Sequence, residues 1–431
     1  MDGIRNDVAR RVLSVLLVVA FAAVVLARIP SIEMHGGRFW AEEGAVYFSS
    51  AWHRPWYVTW FTVAADAGYW NFAAGFGTWL ALKWGGVLHA PMVTIAFALL
   101  IQCLPVYVIV THEFPWRRSV IATVVAVLFC AIPPVTGEVW LNTITSQFHL
   151  ALAAALIYAA PPRRVAFAVL DCAILAFAVI SGPATSFLMP LFVIAAVIGR
   201  QRIVMVEAAI VFAGFCIQLT VFLLYPLAER GSHFGPGELL SVISLHVVVL
   251  QMLGLVLARD FAAYLHAVHH AGAWLWAGPL IFVAFYGVIG WGIFRTRSVV
   301  LLRLFAAGLV FVLVSFYEAW AGSFIGFMHL LSGGRYGFAP EVLDSLSVLG
   351  VAVLAQGGLR RGFVAATVLL FAIGVIDFRS DVLFFAEGPA WPAQVALWRK
   401  DPRHFLLIWP NAPWKVNLRA GTWSIQHPNK V

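Results

Sequence analysis

VLSVLLVVAFAAVVLA, residues 12–27, carries no charge, and runs of this kind recur along the whole chain. With 62% hydrophobic and 11% charged residues and a mean hydropathy of +0.89, they place the chain among proteins with many membrane-spanning helices. The preceding MDGIRNDVARR is basic, as in a secretory signal, but VVLARIPS makes a poor small-residue cleavage site. The run from Val12 to Ile29 therefore reads as a retained first span with its N-terminus inside. Eighteen Trp and 34 Phe suit many helix ends anchored at membrane interfaces. Four cysteines, Cys103, Cys130, Cys172 and Cys216, stand singly in apolar segments without zinc or pairing spacing and read as small core residues.

Working outward from the first run, apolar segments follow at Pro91–Thr111, Ser119–Pro134, Phe148–Ala160, Val165–Ser181, Phe187–Ile198, Ile203–Leu227, Trp276–Phe294, Val299–Tyr317, Val342–Ala355 and Phe363–Ile376. The expected fold is an all-α polytopic membrane protein with about eleven transmembrane helices. The N-terminus is inside and residues 381–431 form a short outer tail. Residues 30–90, 135–147, 228–275 and 318–341 are the larger external loops. Two further apolar stretches, Asn71–Leu88 and Leu239–Leu257, would reverse every later basic turn if either crossed alone, so both are expected to lie along the outer surface or re-enter. On this topology 14 of the 28 Lys and Arg residues sit at inner helix ends, against three acids, Asp2, Asp7 and Glu113. The +8 formal charge is thus a topology signal and not a nucleic-acid footprint. Asp171 and Glu207 fall inside spans near the inner boundary, where pairing with Arg164 and Arg202 is expected.

Chemistry is expected outside. RFWAEEGAVYFSSAW, residues 38–52, places two adjacent carboxylates just after the first span. On an α-helical wheel Ala41, Ala45, Phe48 and Trp52 share one face, suited to a helix lying flat on the membrane. Glu43 then points away from that face and Glu42 sits on its flank, able to turn into a cleft. A solvated polar face is the competing reading. PPVTGEVWLNTITSQFH groups Glu138, Asn142, Gln147 and His149 in a short turn, where helix capping competes with binding. SGGRYGFAP sets Arg335 and Tyr336 on a glycine-loosened loop, and an Arg fork suits phosphate oxygens, with interfacial snorkelling as the rival role. Asp66, Tyr69, His233, His246, His266, His269 and His270 are further candidates for cavity lining. Nucleotide-binding, zinc-protease and serine-hydrolase motifs are absent, and the inner loops are too short to build a nucleotide site.

The layout resembles GT-C superfamily glycosyltransferases, polytopic enzymes that take sugars from polyprenyl-phosphate carriers. WAEEGAVYF resembles their acidic pair on the first external loop, GEVWLN their second external loop, and GGRYGFAP an Arg-Tyr segment near the last spans. The resemblance covers residues 1–380 in topology. It departs in having two glutamates where an aspartate is usual, and in lacking a Trp-Trp-Asp motif and a large soluble C-terminal domain. It implies a bacterial inner-membrane enzyme with in-plane juxtamembrane helices. Its donor would be a polyprenyl-phosphate sugar and its acceptor a cell-envelope glycan or glycolipid. Inversion would occur at the anomeric carbon, with no nucleotide and no required cofactor, although a divalent cation is compatible. It further implies Glu42 as base, Glu43 as its partner, and Arg335, Tyr336, Glu138, Asn142, Gln147, His149 and Asp66 around the donor phosphate and substrate. The rival classes are a transporter or flippase of a lipid-linked saccharide, a polysaccharide ligase or polymerase, and a non-catalytic membrane subunit.

Overall fold

A computed structural model describes residues 2–29, 32, 35–64, 68–160, 165–225, 235–317, 323–380, 388–410 and 414–419. Asp66, His233 and residues 161–164, with Arg164 among them, lie outside these. The described residues are helical almost throughout, and their strands are two antiparallel two-residue pairs, Val63–Ala64 with Tyr69–Trp70 and Leu406–Leu407 with Lys415–Val416. The chain is an all-α membrane protein. Against the eleven spans expected, eight described helices are long and apolar enough to cross, or nine if Phe167–Ile180 and Ala184–Gly199, bent by 116°, form one broken span.

Two of the eight are folded back on themselves. The helix Pro236–His270 breaks at Gly254, whose backbone takes φ +80°. If the helix were straight, Glu238 and His269 would stand ~46 Å apart at ~1.5 Å per residue. Instead His269 Nε2 lies 2.9 Å from Glu238 Oε1. The helix is a hairpin, and Asp377 Oδ2 accepts from Leu255 N at 2.8 Å to cap its second limb. The helix Phe72–Thr111 breaks likewise at Gly86, with φ +56°. There the Phe76 and Phe97 rings come within 5.6 Å of each other, where a straight helix would separate them by about 32 Å. Both ambiguous apolar stretches therefore lie in limbs of helices that turn back on themselves. Glycine serves at both bends because a left-handed backbone there is unstrained without a side chain.

At the centre is Ser146–Ala159, in which every residue is buried. Its run of alanines lets neighbouring helices approach closely, as small residues do where lipid supplies no hydrophobic drive. Surrounded by protein, it can be shorter than a lipid-exposed span. Close approaches elsewhere follow the same rule: Gly350 packs on Leu301 and Gly292 on Phe363. Asp171 pairs with His112 Nε2 at 2.9 Å, both fully buried, in place of the arginine partner expected. The helix Gly334–Leu354 starts eight residues before the expected span and buries Glu341, which lies before that span, together with Asp344 within it. Tyr286 donates to Asp344 Oδ2 at 2.9 Å.

Part of the tail is docked on the first loop. Trp391, Val395, Leu406, Ile408 and Val416 share a core with Phe39 and Phe48 of the first loop. Gly44 lies so close to Ile408 and Val416 that a Cβ there would clash, which accounts for the glycine in WAEEGAV.

Candidate active site

Residues 38–53 do not form the flat α-helix expected. Glu43–Phe48 is a π turn, with Ser49 N donating to Gly44 O five residues back. This winding invalidates a 100° wheel, and π turns recur at functional sites. Glu43, expected on the solvated side, is fully buried. Its Oε1 accepts from Thr143 N at 2.7 Å and Thr143 Oγ1 at 2.6 Å, and its Oε2 from Trp40 N at 3.1 Å. Burial pushes the Glu43 carboxyl up, and these donors together with Arg38 pull it back. Glu43 is thus a staple joining the first external loop to the second. Arg38, stacked between the Trp40 and Trp409 rings at 4.7 and 5.2 Å, donates to Trp140 O from the same junction.

Glu42 turns the other way, into a cavity of about 360 Å³. Burial pushes the Glu42 carboxyl up, offset by its own backbone amide and by Arg335, and reinforced by Glu138. Arg335 occupies the first turn of Gly334–Leu354, where Gly334 rests against the Val135 carbonyl without room for a Cβ. Its Nη1 meets Glu138 Oε1 at 2.9 Å, and its Nη2 donates to the Tyr336 hydroxyl at 3.1 Å. The Arg335 fork is therefore already engaged on one edge, unlike the open fork the glycine-rich loop suggests.

The remaining candidates divide. Gln147 and Tyr69 line the cavity with Arg335 and Tyr336. Asn142 does not: it donates to Glu138 O at 2.8 Å and accepts from Thr145 N and Oγ1 at 3.0 and 2.7 Å, tying the Glu138 turn to the next helix. His149 is buried between Trp140 and Phe338, ring centroids at 4.9 and 4.4 Å, away from the cavity. His246 contacts Phe327 O and His269 pairs with Glu238, so both hold the hairpin. The cavity's other wall is apolar: Phe187, Phe215, Leu219, Phe222 and Val314. Leu219 and Phe222 are each 41% exposed, so this apolar wall reaches the outer surface of Arg202–Leu224.

Backbone strain marks the same place. Five described non-glycine residues have left-handed φ, and two of them, Arg200 and Arg297, close helix C-termini. The other three are Ala41 (φ +45°), Val135 (+52°) and Leu141 (+56°), flanking Glu42 and Glu138. Each such residue costs about 1–3 kcal/mol and persists only where its surroundings enforce it. At Ala41 the enforcement is visible, since Ala41 N donates to Trp409 O at 2.6 Å. Among the described residues no three His, Cys, Asp or Glu side chains cluster to hold a metal ion. Tyr47, Gln218 and Trp40 join the lining although the sequence had not singled them out. Comparison with protein-family models, curated proteins and solved structures gives no match.

Proposed function

We propose that this protein is a membrane glycosyltransferase that moves a sugar from a polyprenyl-phosphate donor to an envelope acceptor, with inversion. The observation that carries the reading is one cavity joining a turned-in carboxylate, Glu42, an arginine, Arg335, and an apolar wall that includes the surface-exposed Leu219 and Phe222. A polyprenyl chain fits the apolar side, and its phosphate fits the cation. Glu42 takes the proton of an acceptor hydroxyl, whose oxygen bonds to the anomeric carbon. The carbon–oxygen bond to phosphate breaks, and its electron pair leaves on the phosphate facing Arg335. Glu138 holds Arg335 in place and would share it with the phosphate. The reading includes eleven crossings: seven long helices without the 236–270 hairpin, the short Val120–Phe129 and Ser146–Ala159, and both limbs of the bent pair. It also includes an inside N-terminus in a bacterial inner membrane.

Two experiments test it here. Reporters active only outside, fused after Lys83 and after His270, should both give signal, and silence at either site breaks the eleven-crossing topology. Arg335→Lys keeps the charge but loses the planar fork, so turnover of a short-chain polyprenyl-phosphate sugar should fall about tenfold or more at low donor concentration, with normal expression. Unchanged turnover would reduce Arg335 to a structural partner of Glu138. A flippase of a lipid-linked saccharide is the second reading, favoured by Glu341 and Asp344 buried in a membrane helix. Movement of donor across vesicles without sugar transfer would select it.

A further inference from the structure

We propose that Tyr47 contacts the substrate, its hydroxyl donating to the same sugar-hydroxyl oxygen whose proton Glu42 accepts. This rests on the cavity being the place where a hydroxylated substrate reacts. The π turn carries the geometry, because i→i+5 bonding brings residues five apart towards one face, and Glu42 and Tyr47 are such a pair. Both line the cavity. The Tyr47 ring packs with Trp40, Ala74, Ile144 and Trp409 and is wholly buried, yet its phenolic oxygen has no hydrogen-bond partner.

A buried donor without a partner destabilises a fold, and phenylalanine would fill the same space without that penalty. Packing therefore accounts for the ring and not for the hydroxyl. Burial, reinforced by Tyr69 and Glu42, keeps the phenol protonated and so a donor. A carboxylate only accepts. A substrate group that satisfies both at once is an alcohol, which gives its hydrogen to Glu42 and receives one from Tyr47. Ser186, on the turn Ala184–Leu188, brings a second buried hydroxyl without a partner to the same cavity. The ligand chemistry is that of a carbohydrate, with several hydroxyls, and not of a lipid phosphate alone. As the acceptor loses its proton, Tyr47 keeps its own and steadies the charge growing on that oxygen.

The test uses the full chain in lipid nanodiscs. Binding of methyl hexosides and pentosides is followed by ligand-observed NMR, and binding of a short-chain polyprenyl monophosphate is measured separately. Tyr47→Phe should weaken glycoside binding about tenfold, the effect of one well-made hydrogen bond. It should leave phosphate-lipid binding alone and keep or raise the thermal midpoint. Tyr57→Phe, on an exposed ring outside the cavity, should match the parent throughout. The proposal is overturned if Tyr47→Phe binds glycosides like the parent, if the parent binds none, or if Tyr47→Phe lowers the midpoint, which would make the hydroxyl structural. Tyr47-dependent glycoside binding without any sugar transfer would sink the transferase reading and leave this site standing.

Discussion

Glu42→Gln is expected to lower sugar transfer by about 10²- to 10⁴-fold, the usual cost of removing a general base, while folding and membrane insertion stay normal. The amide is isosteric, and Glu42 packs into a cavity wall and not into the core. The pH profile gives a second handle. Glu42 acts as a base only when ionised, and burial raises its pKa. Transfer should therefore rise with pH through an acid limb lying above the ordinary carboxylate range, and Glu42→Gln should abolish that limb. Glu138→Gln removes a charge that raises the Glu42 pKa, so the limb should move to lower pH. Parent-rate transfer by Glu42→Gln at every pH would return the residue to a polar wall.

Glu43→Ala is expected to fail differently, by losing about 1–3 kcal/mol of stability, as when buried donors lose their acceptor. Three donors, Thr143 N, Thr143 Oγ1 and Trp40 N, lose their acceptor inside the protein. The measurement is thermal unfolding in nanodiscs, with Thr143→Val made alone and in combination. The two losses should be strongly non-additive, because they remove one shared contact. Were Glu43→Ala as stable as the parent but inactive, the staple would be misassigned and Glu43 would belong to the chemistry. The two variants thus separate the proposed base, Glu42, from the buried staple, Glu43, by the assay each should disturb.

The membrane class was legible because lipid selects for apolar length, a property of composition more than of packing. The two apolar stretches that turn back were legible only through the charges around them; their bends at Gly86 and Gly254 carry no unique sequence mark. Glu42, Glu138 and Arg335 stood out as polar groups in an apolar chain, but their meeting did not. Glu138 and Arg335 come from separate turns, joined where Gly334 rests on the Val135 carbonyl. Glu43 was misread because a wheel presumes 3.6 residues per turn, and the π turn departs from it where the two carboxylates diverge. Tyr47 was within the quoted run and passed over for the same reason. The docking of Trp391, Val395, Leu406, Ile408 and Val416 was not legible, since short aromatic and polar segments announce no partner.

Ala41 held by Trp409 has a consequence for how the protein is made. Trp409 leaves the ribosome 368 residues after Ala41. At ~5–20 residues per second that interval is roughly 20–70 s. Throughout it the bundle can insert and assemble, but nothing yet forces the left-handed turn that aims Glu42. The turn beside Glu42 is therefore enforced late, only once Trp409 has folded back onto the first loop.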